Sequence, residues 1–343
     1  MSEKKRATIK DVARETGLAL STVSNALSDK RYVSDETRAL VSEAATRLGY
    51  RASTVARALR MQRSFTIGVL IADVNNPSSA SFVRGVEDIA TRESCTVLLC
   101  NTDGEEEKQL SHMRTLMDRQ VDGMVLISQH CTSPEIRDLL QMGPPFVLVQ
   151  RRSVDHKDDY VGADNVHGLA EAVRYVHSLG HRRVGFVRGP EDSSSARERY
   201  ETYAAEAATL GLDRSEELLF SGGYSFEGGR TAGEHLLALS EPPTAIMASS
   251  DINALGVIEA ALDRGMTVPR DLSVVGLDDI SLARFKGINL TTIRLEKRDI
   301  GKAAAELLVK RIHAPTRTKR QIVLPTKLII RGSAAAPKVR TAT

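Results

Sequence analysis

Apolar residues recur at helical spacing three times within the first fifty positions. Ile9, Val12 and Ala13 form one stripe, Val23, Ala26 and Leu27 a second, and Leu40, Val41, Ala44, Ala45 and Leu48 a third. Thr8 with Asp11 three residues on marks the start of the first helix, as a capping box with Asp in place of Glu, and Ser34 caps the third. Gly17 supplies the tight turn between the first two helices. The second stripe leaves Leu20, Ser21, Ser24 and Asn25 facing outward. Three short helices with one exposed face of small, mostly polar residues predict a helix-turn-helix module shaped for a DNA groove.

From Phe65 the pattern changes. Short β-branched runs at 66–71, 96–100, 123–127, 146–149, 160–162, 184–187, 217–220, 245–248, 273–276, 291–293, 321–324 and 327–330 predict strands. Between most of them lie amphipathic stretches, at 81–93, 105–119, 168–179, 197–210, 224–239, 254–264 and 297–310. Near-continuous apolar strands alternating with helices predict parallel sheets covered on both faces. The pattern runs twice, changing near 159–165, which points to two α/β subdomains.

Ligands of such sheets bind beyond the carboxyl ends of the strands. The residues there are polar: Asp73 and Asn75, Asn101 and Asp103, Ser128, Gln150 and Arg151, and Asp164 in the first half. Arg188, Tyr224, Ser250 and Asp251, and Asp278 and Asp279 follow in the second. Singly, such residues are ordinarily helix caps or turn formers. Together they outline two facing rims suited to a small polar molecule.

Charge sharpens this division. The 343-residue chain carries a net +3 and is 41% hydrophobic, enough to bury a sizeable core. Residues 1–63 hold 13 Lys or Arg against 7 Asp or Glu, a net +6, which leaves −3 for the remaining 280. A basic head on a slightly acidic body predicts a polyanion partner for the head alone. Cys95, Cys100 and Cys131 have no metal-ligand spacing, and no cofactor or metal is expected. No apolar run approaches a membrane span and no signal peptide is evident, so a cytoplasmic, nucleoid-associated protein is expected.

The head resembles the LacI/GalR family of bacterial transcription regulators. The resemblance rests on Thr8-Ile9-Lys10-Asp11-Val12-Ala13, Gly17-Leu18, Ser21-Thr22-Val23-Ser24-Asn25-Ala26-Leu27, Val33-Ser34-Asp35-Glu36-Thr37-Arg38 and Leu48-Gly49-Tyr50. It continues through Asn76-Pro77, Val121-Asp122-Gly123, Asp164-Asn165, Ser250-Asp251, Val275-Gly276-Leu277-Asp278-Asp279 and Arg331-Gly332-Ser333, spanning about residues 7–334.

The resemblance implies a helix-turn-helix head (1–50), a hinge helix (51–63), and a periplasmic-binding-protein-like body (64–334) of two parallel-sheet subdomains. The chain would cross between these near 161–164, 290–294 and 324–327. The subdomains would comprise 64–162 with 293–325, and 163–292 with 326–334, before a disordered tail at 335–343. Leu20, Ser21 and Asn25 would read base edges, and Thr8, Thr22, Ser34 and Arg38 would touch phosphate. Asn25 stands where Arg is frequent, which favours adenine over guanine. Ala19 replaces a common capping Ser, and Ala52 a frequent Pro. In the hinge, Ser53 would cap, Ala56 would pack, Arg57 would lie near phosphate, and Leu59 would wedge into the minor groove.

For the effector, the resemblance points to Arg199, Asp278, Tyr224, Ser250 and Asp251, joined on the first rim by Asp73, Asn75 and Gln150. Gln150 stands where Asp is common and Arg151 and Arg152 follow it, a balance that would suit an anionic sugar derivative. The implied function is a homodimeric repressor binding a pseudo-palindromic operator under the control of a sugar-like effector, without membrane contact and without enzymatic activity. A protein co-repressor in place of the small molecule is the alternative reading. A solute-binding protein would share the body but needs no helical head. An enzyme would need a nucleophile elbow, a phosphate-cradling glycine loop or metal spacing, and the sequence has none of these.

Overall fold

The computed structural model describes residues 7–27, 32–50, 61 and 63–338, in two compact units that divide at Ser64. Among the described residues of the smaller unit lie helices α1 (Ile9–Thr16), α2 (Leu20–Leu27) and α3 (Asp35–Arg47). The stripes meet in one core, where Val12, Val23 and Val41 are at most 1% exposed and Ala26, Ala44 and Ala45 close the gaps. Thr8 donates to the Asp11 carboxylate from its N–H at 2.9 Å and its hydroxyl at 2.7 Å, while Ser34 Oγ accepts the Thr37 N–H at 3.3 Å. Gly17 adopts φ +68°, a left-handed turn that suits a residue without Cβ. The Ala19 carbonyl accepts the Val23 N–H at 3.0 Å, so backbone anchors the first turn of α2. Arg47 and Glu15 pair at 2.6 Å and tie α3 to α1. Leu40, expected in the third stripe, is instead half exposed. It sits roughly a quarter-turn from the centre of the Val41, Ala44, Ala45 and Leu48 face, too far round to reach the core.

The larger unit contains two six-stranded sheets. The first lobe holds β1 (Thr66–Ile71), β2 (Thr96–Asn101), β3 (Gly123–Ile127), β4 (Phe146–Val149), β5 (Tyr160–Ala163) and, returning late in the chain, β11 (Gln321–Leu324). The second holds β6 (Val184–Arg188), β7 (Leu219–Ser221), β8 (Ala245–Ala248), β9 (Ser273–Asp278), β10 (Thr291–Leu295) and β12 (Thr326–Ile329). Their orders are β11-β5-β4-β3-β1-β2 and β12-β10-β9-β8-β6-β7. Every pairing is parallel except β10 with β12, which is antiparallel. Central strands such as β1 and β3 are buried nearly throughout, whereas the edge strands β2 and β11 are half exposed, as helices on both faces of a parallel sheet require.

Helices α4 (Pro77–Arg92), α5 (Glu106–Asp118), α6 (Pro134–Met142) and α11 (Lys297–His313) belong to the first lobe. Helices α7 (Asn165–Ser178), α8 (Ser194–Leu210), α9 (Phe226–Leu237) and α10 (Asp251–Asp263) belong to the second. α4 and α11 touch backbone to backbone: a Cβ on Gly85 would lie 2.0 Å from the Arg298 carbonyl oxygen, and one on Gly301 2.1 Å from that of Phe82.

The chain passes between lobes at Asp164, Glu296 and Pro325. The second passage lies beyond the expected 290–294, because all of β10 pairs in the second sheet and buries Ile293 and Leu295 there. The run expected as a strand at 217–220 divides into a short 3-10 turn, Glu216–Leu218, and β7.

The tail expected to be disordered from 335 is docked as far as Lys338. The Ala335 N–H donates to Ser273 Oγ at 3.0 Å, its carbonyl accepts from His181 Nε2 at 2.9 Å, and Lys338 pairs with Asp271. His181 is 1% exposed and accordingly structural. No helix among the described residues is long and apolar enough to cross a membrane.

Candidate functional site

Two regions are built for recognition. In the head, α2 presents Leu20 (44% exposed) and Ser21 at its N-terminal turn, with Thr22, Ser24 and Asn25 half buried behind them. A recognition helix reads bases from this end. Three of the expected phosphate ligands also hold the head together. Thr8 engages Asp11, Ser34 caps α3, and Arg38 Nη2 donates to the Val33 carbonyl at 3.4 Å. Ser53, Ala56, Arg57 and Leu59 lie outside the described residues.

In the body, a cleft between the lobes is lined by Asn76, Phe82, Ser128 and Gln150 from the first, and by Ser195, Arg199, Tyr224, Ser250 and Asp278 from the second. Ser128, Gln150 and Asp278 follow β3, β4 and end β9 with φ of +56°, +69° and +132°. Left-handed backbone is costly for residues with a Cβ, and it is retained here where three strand ends converge. Arg199 is 5% exposed and held on three sides: Nε donates to Asn165 Oδ1 at 2.9 Å, and Nη1 to the Ser249 carbonyl at 2.8 Å and the Tyr224 hydroxyl at 3.3 Å.

Burial pushes the Asp278 carboxyl above the ordinary range, against the nearby charges of Lys297 and Arg199 and the Ser78 hydroxyl. Lys297 Nζ donates to the Asp278 carbonyl, fastening this strand end to the start of α11. One fixed guanidinium, one carboxyl, an aromatic ring and several hydroxyl and amide groups thus face a common space. Such a set suits a small polyhydroxylated molecule, gripped by charge-assisted hydrogen bonds.

A family model of bacterial regulatory proteins, lacI family, matches residues 8–53, and one of a periplasmic binding protein-like domain matches residues 173–334. Over 330 residues the chain is 36% identical to the ribose operon repressor of Escherichia coli (strain K12), covering 96% of this chain and 100% of that one. The chain belongs to the LacI family of bacterial regulatory proteins. A LacI-family regulator from Enterococcus faecium with bound ribose is 28% identical, with a TM-score of 0.71 over 80% of this chain and 100% of that one. The lac repressor dimer bound to operator and the anti-inducer ONPF shares the fold, with a TM-score of 0.86 at 23% identity over 97% of this chain and 100% of its own.

Set against this LacI-family architecture, the cleft differs from the sequence expectation in three respects. Asp73 and Asn75 do not line it. Asp73 Oδ1 accepts the Asn75 N–H at 2.8 Å in a local turn, and Asn76, the α4 cap, faces the cleft instead. Asp251 is fully buried behind the lining, where Oδ2 accepts the Ile280 N–H at 2.8 Å and Oδ1 accepts from the Thr292 hydroxyl. Arg151 and Arg152 are neutralised across the lobes, by Asp192 at 2.7 Å and Glu198 at 3.3 Å, and so do not supply the positive rim expected for an anionic ligand.

Gln150, Arg199, Tyr224, Ser250 and Asp278 do come together. Asn76 and Ser195 were not anticipated as lining. Asn76 carried the signal of an Asn before Pro77 at a helix start, and Ser195 lies in a serine run that reads equally well as a cap.

Proposed function

We propose that this chain is a transcription repressor that reads a pseudo-palindromic operator as a homodimer and is controlled by a small neutral sugar of the ribose class in the interlobe cleft. The observation that carries this is the pairing of one buried guanidinium, Arg199, with one buried carboxyl, Asp278, in a lining otherwise free of charge. A balanced pair of this kind suits vicinal hydroxyls, whereas a phosphate or carboxylate would need an excess of cations. The ribose operon repressor at 36% identity and the ribose-bound regulator at 28% support the same ligand class.

In this reading Leu20, Ser21 and Asn25 meet base edges, and Thr22, with Thr8, Ser34 and Arg38, meets phosphate. Ser53, Ala56 and Arg57 would form and seat a hinge helix, from which Leu59 would enter the minor groove. Gln150, Arg199, Tyr224, Ser250 and Asp278 bind the sugar, with Asn76 in the place first given to Asn75. Lobe closure over the sugar then changes operator affinity. A coupling of about 1–3 kcal/mol, or 5- to 150-fold, is enough for a switch.

Calorimetric titration of the full chain with D-ribose, ribose 5-phosphate and D-glucose tests the ligand class. Saturable binding of ribose, stronger than that of the other two and abolished in Arg199→Leu, is expected. Tighter binding of the phosphorylated sugar would overturn the neutral-ligand reading.

A further inference from the structure

We propose that protonation of His130 latches the two lobes together, so that closure over the cleft is pH-dependent. Asp192, in the turn leading into α8 of the second lobe, reaches two groups of the first. Its carboxylate accepts from His130 Nδ1 at 2.7 Å and from Arg151 Nη1 at 2.7 Å. The other ring nitrogen, His130 Nε2, lies 2.8 Å from the Gly104 carbonyl oxygen. A carboxylate and a carbonyl only accept, so both ring nitrogens must carry hydrogen. The closed arrangement therefore demands the imidazolium.

The residue is held for this contact. Its backbone N–H donates to Gln109 Oε1 at 2.9 Å and its carbonyl accepts from Gln109 Nε2 at 2.8 Å, with the Gln109 side chain fully buried.

The turn after β2 presents the Gly104 carbonyl, with the flanking Asp103 and Glu105 carboxylates both engaged by Lys108 at 2.8 Å; α5 contributes the neutral Gln109, and the loop after β4 the Arg151 guanidinium. The adjoining Cys131 thiol is kept neutral by burial, which pushes it up to about 11. The hydrogen bond to Asp192 raises the His130 value against the opposing effects of burial and Arg151, and the Gly104 carbonyl adds to the rise. In return, His130 first and Arg151 after it hold Asp192 down to about 2.

The latch adjoins the sugar-binding side chains. The Arg152 N–H donates across the lobes to Ser194 Oγ at 2.8 Å, and Arg152 Nε meets Glu198 at 3.3 Å. Glu198 accepts from Asn165 Nδ2 at 2.8 Å, and Asn165 Oδ1 accepts from Arg199 Nε at 2.9 Å. A continuous polar chain thus links the latch to the cleft arginine.

The sign follows from linkage. Opening removes Asp192 and lets His130 return toward its ordinary value near 6.5. The closed form binds the proton more tightly, so its advantage is complete below that ordinary value and is lost as pH rises through the raised one. Any consequence for effector affinity rests on the sugar site proposed above. The latch itself does not.

The test therefore uses the full chain without sugar, followed by NMR. The His130 ring should titrate with a midpoint above its ordinary value, with both nitrogens protonated below it. The Arg152 amide should be protected from exchange several-fold more at about pH 6 than at about pH 8.5, after correction for the intrinsic rate. Asp192→Asn and His130→Gln should each abolish the pH dependence of that protection. A neutral His130 ring at about pH 6, or pH-independent protection in the unsubstituted chain, would overturn the proposal even if neither variant folds.

Discussion

Arg199 and Tyr224 form one unit on the cleft wall: the guanidinium carbon lies 5.8 Å from the ring centroid, and Nη1 donates to the phenol oxygen at 3.3 Å. The ring helps hold a guanidinium whose remaining bonds go to Asn165 and Ser249. Removing the hydroxyl should loosen that guanidinium without emptying the wall. Tyr224→Phe is expected to weaken ribose binding by about 2- to 10-fold, as for loss of one hydrogen bond. Tyr224→Ala should weaken it more. Calorimetry reads both, and an unchanged melting temperature in Tyr224→Phe would localise the effect to the cleft.

Asp251 shows what burial does to a carboxyl behind a binding site. Desolvation first, and the neighbouring Asp278 charge second, push its value up despite the hydrogen bonds from Thr292 and the Ile280 amide. The folded form therefore holds its proton more tightly than the unfolded form does. Stability falls as pH rises above the ordinary carboxylate value of about 4, because the unfolded chain then ionises freely while the buried group resists ionisation. Asn can keep both contacts while remaining neutral. Melting curves should show Asp251→Asn gaining stability relative to the parent chain between about pH 5 and 8, and a constant difference would refute this account.

Much of the body was legible in its sequence because parallel strands buried on both faces are written as apolar runs. Thr66–Ile71, Gly123–Ile127 and Phe146–Val149 are such strands, and their bounds coincide with the expected ones. Partners across space were not legible. Nothing in the sequence near Arg151 shows that Asp192 will neutralise it, and His130 stood out by no spacing at all. Asp73, Asn75 and Asn76 all follow β1, and only the folded turn shows that Asp73 is occupied by the Asn75 amide while Asn76 faces the cleft. Asp251 next to Ser250 matches the family pattern, yet one step along a helix carries it from lining to interior.

His181 clamps the docked tail in its neutral form. Nε2 faces the Ala335 carbonyl at 2.9 Å, while Nδ1 lies 2.8 Å from the Thr244 hydroxyl, which can donate to it in place of its long 3.5 Å bond to the Arg183 carbonyl. Burial lowers its value, so the unfolded chain takes up the proton first and stability is lost as pH falls below about 6.5. His181→Leu should cost about 1–3 kcal/mol from the polar groups left unpaired. It should also flatten the acid limb of the stability profile, as read by chemical denaturation between about pH 5 and 7.

Asn25 is half buried on α2, and in the proposed reading it meets a base edge. An Asn pairs with adenine through two hydrogen bonds, worth about 1–3 kcal/mol of discrimination. Asn25→Ala should lower affinity for the preferred duplex and relax the choice at one base pair in each half-site. Thr22→Ala should instead weaken all duplexes alike, as a phosphate contact would. Binding selections on the two variants separate these outcomes.

The central claim joins a DNA-reading head to a sugar-sensing body in one chain. Its most direct measurement is the affinity of the full chain for duplexes enriched from a random pool, taken at fixed salt with and without saturating D-ribose. The account predicts an inverted repeat among the enriched sequences and a change in affinity of about 5- to 150-fold on adding the sugar. Enrichment of no symmetric sequence, or an inverted repeat whose affinity is the same with and without ribose while Arg199-dependent ribose binding persists, would contradict it.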